Sequence, residues 1–287
     1  MSVDEQLLYE SRVRNRQAVI AAAAAALLVA AAAVQIAGPH TKVNELTLDL
    51  ITAHKRFPLD LVGAILNGLG LVALGATLLF LFNLVRARNE TLRNFAGPIA
   101  AVGAGLAALA GIVYAAVIAQ KADDFVHTGA QTYDQANALT GGSGLLALPF
   151  LGQAAALALA VGFVLVALQA MRVGLLTRFM GYLGIFTGVL VLFPIGSPVP
   201  VVQAFWLLAL AYLLTGRWPS GMPPTWRSGR AEPWPSSAAM REQRMKAAGA
   251  SRGGGRRKEP EPAAAEPVSS PARTRSATPK RKRKRRH

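Results

Sequence analysis

Long apolar stretches alternate with short polar ones along most of this chain. From about Gln17 to Gly38, Leu61 to Val85, Ala96 to Ala119, Leu145 to Ala170, Phe179 to Phe193 and Val201 to Gly216, the residues are almost uninterruptedly apolar. Several of these runs reach the roughly 20 residues that a helix needs to cross about 30 Å of hydrocarbon. Soluble packing of so much unbroken apolar surface is a poor competitor. The pattern predicts an all-α membrane protein with six transmembrane helices. It divides the chain into an N-terminus at 1–16, a transmembrane domain at 17–216 and a tail at 217–287.

Two of the apolar pairs resemble each other. Shifted by 86 positions, Asn67 falls on Gln153, Asn83 on Gln169, Arg86 on Arg172 and Thr91 on Thr177. After two single-residue gaps, Arg93, Phe95 and Gly97 meet Arg178, Phe179 and Gly181. Each copy is an apolar run, a basic turn and a second apolar run, which reads as a helical hairpin. The expected architecture is therefore two parallel hairpin repeats with the first and last helices added. Small residues mark where backbones approach: Gly103, Ala107 and Gly111 recur every four positions, and Gly184 and Gly188 form a GxxxG pair.

The connections differ in character. In the polar stretch after Pro39, Val43, Leu46, Leu50 and Ile51 fall near one side of a helix and Lys42, Glu45 and Asp49 on the other. A short surface helix and a loop covering the helix ends fit this equally. Gln120 to Gly144 is rich in Asp, Asn, Thr and Gly and reads as a loop. The run after Arg12, Arg14 and Arg16 is too long for a usual signal core, so an uncleaved first helix is expected.

Charge then sets the orientation. Residues 217–287 hold 19 of the 31 Lys and Arg and only 5 of the 15 acids. Without that tail, the loops on the side of the termini carry 8 basic residues against 4 on the other. The positive-inside rule places both termini in the cytoplasm and the protein in the plasma membrane. The tail combines low hydrophobicity with high charge, so it is expected to be disordered. Its end, Lys280, Arg281, Lys282, Arg283, Lys284, Arg285 and Arg286, attracts anionic lipid or holds nucleic-acid phosphates without reading sequence. Ser276 and Thr278 follow arginines, and phosphorylation there would cut the local positive charge.

Little in the chain carries chemistry. There is no cysteine, which excludes thiolate metal sites and cysteine nucleophiles together. No charged residue lies in the middle of a predicted span, which counts against a proton relay or a charged-substrate site. No P-loop, HExxH or Ser-His-Asp order occurs, so no enzymatic activity and no cofactor are expected. Asn67 and Gln153 are the amides that could line a polar cavity, with an interhelical hydrogen bond as the simpler role. Arg86 and Arg172 are placed to contact headgroup phosphates, or to snorkel as anchors. Asp123, Asp124 and His127 in one loop, with His40, Glu45, Asp49 and His54 in the other, have the donor types of a divalent-metal site. Solvated loop charges are far commoner than such sites, and no metal is assigned.

The segment from MRVGLLTRFMGYLG to VVQAFWLLALAYLLTGRWPSGMPPTW resembles multi-pass membrane proteins of high-GC actinobacteria, of the domain-of-unknown-function type. That resemblance covers about residues 17–226 and implies membrane location and no activity. The function expected from sequence is a membrane scaffold or interaction protein with a polyanion-binding tail and, in the membrane, protein partners. A carrier or channel for a neutral small solute is the alternative, as is a tether for ribosomes or nucleic acid.

Overall fold

The structure, a computed structural model, describes residues 3–39, 45–89, 95–192, 200–219 and 221–232, with short pieces at 241–242 and 245–246. Its described residues form helices and connections, with no strand among them. In chain order the helices are α1 (Val3–Ile36), α2 (Leu46–Arg56), α3 (Leu59–Arg88), α4 (Ala96–His127), α5 (Tyr133–Thr140), α6 (Ser143–Arg172), α7 (Arg178–Leu192), α8 (Val201–Leu214) and the single turn α9 (Thr225–Ser228). One compact unit spans Met1–Trp234 and a second Pro235–His287. In the second, the described pieces are helical and Lys246 pairs with Glu242 at 2.7 Å.

Four helices are long and apolar enough to cross a membrane, over Glu5–Ile36, Leu59–Arg88, Ala96–His127 and Ala147–Arg172. The apolar helices α7 and α8 are shorter, at 15 and 14 residues. Together the six close a ring. α1 packs on α3, α3 on α4, α4 on α6, α6 on α7, α7 on α8, and α8 returns to α1. Inside it, Leu74, Leu78 and Leu81 of α3 meet Phe163 of α6 and Trp206 of α8, all fully buried. The Phe163 and Trp206 rings lie edge to face at 4.7 Å, and the indole N–H donates to the carbonyl of Met180 at 3.1 Å, so the one polar atom of Trp206 is satisfied. On the outside, Val102, Leu106, Leu109 and Val113 of α4, and Val201, Phe205, Leu208 and Tyr212 of α8, form exposed apolar stripes at helical spacing. The helices are thus apolar on both faces, as expected of chains whose exterior is covered by lipid.

Glycine sets how closely these helices meet. A Cβ on Gly103 would lie 2.6 Å from the backbone nitrogen of Leu159, and one on Gly162 would lie 2.7 Å from that of Ala100. The backbones of α4 and α6 are therefore in direct contact at two levels. Gly75 meets Ala104 between α3 and α4, and Gly184 meets Ala167 and Trp206 where α7 closes on its neighbours. The small-residue stripe of the sequence is only partly used: Gly103 is in contact, whereas Gly111 has open space where a Cβ would be.

Several boundaries move. The N-terminal segment expected at 1–16 is continuous with the first span, because α1 is a single helix from Val3. Its 34 residues cover about 51 Å at 1.5 Å per residue, well beyond a hydrocarbon core. The expected loop at 120–144 is mostly helical: α4 continues to His127 and α5 follows. Of the two readings of the stretch after Pro39, the helix is present as α2, with Leu50 packed against Ala122, Phe125 and Ala136; His40 and 41–44 lie outside the described residues. At the other end, the compact body runs on past residue 216 to Trp234.

Overpacking at a glycine contact costs roughly 1–3 kcal/mol, whereas Gly→Ala at an open helical site removes a penalty of up to about 1 kcal/mol. Gly103→Ala and Gly162→Ala are expected to lower the unfolding temperature in detergent, while Gly105→Ala and Gly111→Ala leave it unchanged or raise it. Thermal unfolding followed by intrinsic tryptophan fluorescence checks all four.

Candidate functional site

The charged and imidazole side chains of the bundle that are fixed by contacts gather at the two ends of the ring. At the end carrying α2 and α5, Arg56 closes α2 and is nearly buried. Its Nε donates to Asp60 Oδ1 at 2.7 Å, and its terminal nitrogens donate to the carbonyls of Gln35 (3.0 Å) and Pro39 (3.2 Å). A cation thus occupies the C-terminal end of α1, where carbonyls lack helical partners and the helix dipole favours positive charge. This contact fixes α2 against α1 and α3.

At this end lies a cavity of about 280 Å³ lined by Asn67, Asp60, Gln35 and Tyr114 among others. Asn67 therefore lines this cavity beside both polar and apolar side chains. Gln153 does not share it. It is exposed on α6, on the side of Phe150, Leu157 and Val161, about half a turn from the inward stripe of Ala155, Leu159 and Phe163. The two amides, paired by the repeat, do not face each other, because α6 turns its small-residue face to α4 and carries Gln153 outward.

On the same end, α2 and α4 bring together residues from the two regions that the sequence held apart. Asp123 Oδ1 lies 3.2 Å from Nδ1 of His127, one turn along α4, and 3.5 Å from Nδ1 of His54 in the last turn of α2. The two imidazoles are edge to face at 5.3 Å. His54 and Asp123 also line a cavity of about 430 Å³ with Gln120, Phe57 and Leu61. Beyond them the α4–α5 turn is held by Gln135, whose amide donates to the carbonyl of Thr128 and accepts from the N–H of Gln131 at 2.8 Å.

At the opposite end the fixed arginine is Arg88. Its side chain is fully buried and its two terminal nitrogens grip both oxygens of Glu10 on α1, at 2.8 and 2.6 Å. The guanidinium also lies 5.7 Å from the ring of Trp226, a cation–π arrangement. Trp226 donates to the carbonyl of Leu175, and Thr225 Oγ1 donates to that of Val173, so the segment around α9 is fastened to the α6–α7 turn. Gly174 permits this approach: its φ is +82°, and a Cβ there would overlap the carbonyl oxygen of Glu232. One part of the sequence picture changes here, and one residue is added to it. Residues 221–232, expected to belong to a disordered tail, are a packed part of the body. Arg86 and Arg172, singled out by the repeat, are exposed, and the buried functional-looking cation is Arg88 two residues on. Glu10 lies 78 positions from Arg88, so no local spacing announced the pair. Thr91, Arg93, Ser276, Thr278 and the Lys280–Arg286 run lie outside the described residues.

Compared with known proteins, the chain matches no protein-family model, no curated protein and no solved structure.

Breaking a buried ion pair from one side costs roughly 3–5 kcal/mol, because the remaining charge stays buried and unpaired. Arg88→Met is expected to lower the unfolding temperature sharply and expose Trp226 to a soluble quencher, whereas the double variant Glu10→Leu with Arg88→Met recovers most of the loss. Arg86→Met, on the surface, should stay within about 0.5 kcal/mol of the parent.

Proposed function

We propose that this chain is a six-span plasma-membrane protein with both termini in the cytoplasm, a non-enzymatic scaffold that holds a basic tail against anionic surfaces, lipid headgroups first. The observation that carries this reading is the clasp of Glu10, Arg88 and Trp226. It ties the last packed segment before the tail to α1, α3 and the α6–α7 turn. The basic residues follow that segment in the chain, and their many weak contacts to one polyanionic surface reinforce one another. The excess of Lys and Arg at this end supports its assignment to the cytoplasm. Ring closure by α7 and α8 supports counting them as the fifth and sixth spans. The 30-residue lengths of both α3 and α6, each ending in arginine, support a duplicated hairpin.

The cavity beside Asn67 favours a second reading, a carrier for a neutral solute. Against it stands the apolar filling of the bundle by Leu74, Leu78, Phe163 and Trp206. A pathway would need those side chains to part.

Vesicle association separates these possibilities. The full chain in zwitterionic nanodiscs should capture vesicles containing anionic lipid, and capture should fall as salt is raised. At roughly 1 kcal/mol per basic residue, replacing Lys280 to Arg286 by Gln should weaken capture more than about 100-fold. Capture unchanged by deleting residues 250–287 contradicts the scaffold reading, and preferential retention of RNA by the same tail turns it into a nucleic-acid tether.

A further inference from the structure

We propose that His54, Asp123 and His127 form a divalent-cation site, suited to zinc, at the junction of α2 and α4. One nitrogen from each imidazole and one carboxylate oxygen lie within 4.8 Å of one another. With metal–ligand bonds of 2.0–2.1 Å, a tetrahedral zinc holds its ligand atoms about 3.3 Å apart. The carboxylate oxygen of Asp123 already stands 3.2 and 3.5 Å from the two imidazole nitrogens. A cation at their centre would draw donor atoms now within 4.8 Å of one another closer together, in competition with the contact of His127 Nδ1 to the Asp123 carbonyl at 3.1 Å. Two imidazoles and one carboxylate are the donor set of zinc and related transition ions, whereas calcium and magnesium take oxygen ligands.

The backbone supports this geometry on both sides. Asp123 and His127 are one turn apart on the rigid end of α4, so they share a face. His54 comes from α2, which is held by Leu50 against Ala122 and Phe125 of that same stretch of α4, and by Arg56 at its far end. His54 and Asp123 also line the 430 Å³ cavity with Gln120, Phe57 and Leu61. Three protein ligands beside such a space leave a fourth position for water or an external carboxylate, the arrangement of an open zinc site in contrast to a closed structural one. The ion would also pin α2 to α4.

The test uses the full chain in detergent, purified through a tag without histidine, stripped with chelator and titrated with zinc alone. Zinc is expected to bind saturably in the micromolar range or tighter and to raise the unfolding temperature. His54→Ala, His127→Ala and Asp123→Asn should each weaken binding at least 10-fold and abolish the thermal shift, while His40→Ala and His287→Ala retain both. Cobalt in place of zinc should give the intense visible bands of a tetrahedral site. Metal-free unfolding temperatures of the variants near that of the parent show that the loss is one of ligands. Absence of saturable binding by the parent, or zinc affinity retained by the His54→Ala, His127→Ala double variant, overturns the proposal.

Discussion

A bundle that is apolar on its inside and its outside gains nothing from sorting apolar from polar surface, so its helices must be held by close contact. That constraint explains why Gly and Ala crowd the crossings of this ring. Where α4 meets α6, Gly103 and Gly162 bring backbone against backbone, and the dispersion contacts of many small groups replace the missing hydrophobic contrast. Large side chains are admitted where the ring leaves room at its centre, and there Phe163 and Trp206 interlock with the leucines of α3. The alanine richness of α1 has the same cause: its inward face, from Ala18 to Ala32, lies directly on its neighbours.

With the middle of the bundle apolar, specificity of assembly falls to the ends. Arg56 and Arg88 perform parallel tasks there. Each is buried and each reaches a carboxylate: Arg56 ties the end of α1 to α2 and α3, its neighbours in the chain, and Arg88 ties α1, α3 and the distant segment after α8. Burying a guanidinium is costly unless its hydrogen bonds are met, so these contacts penalise any arrangement that fails to supply the partners. The same economy places the chemically capable groups at the ends. His54 stands in the last turn of α2, and Asp123 and His127 near the C-terminal end of α4.

The helical class and the apolar core of each helix were legible in the sequence, because period and length speak directly to helices that bury one face on neighbours and one in lipid. The surface helix α2 was half legible: the spacing of Leu46, Leu50 and Ile51 was there, but only the contact of Leu50 with α4 decides between helix and loop. What escaped depends on contacts distant in sequence. The Glu10–Arg88 pair joins positions that no motif connects, and the repeat drew attention to Arg86, which faces outward. Gln153 shows the limit of reading a repeat as a site: equivalent sequence positions on α3 and α6 face different surroundings because α6 packs on α4 through its small residues. The tail was misjudged at its start for a related reason. Pro, Ser and Arg around Trp218 and Trp226 look disordered in composition, yet the two indoles pay for an ordered segment by packing on the body.

Membrane topology is the assumption on which both the tail reading and the placement of the metal site rest. The chain has no cysteine, so single cysteines can be introduced without background. In intact cells, a membrane-impermeant maleimide should label Thr128→Cys and Ser197→Cys, and should label Ser11→Cys and Ser269→Cys only after the membrane is opened. Labelling of Ser11→Cys or Ser269→Cys from outside, or protection of Ser197→Cys, would contradict a six-span protein with its clasp and basic tail on the cytoplasmic side.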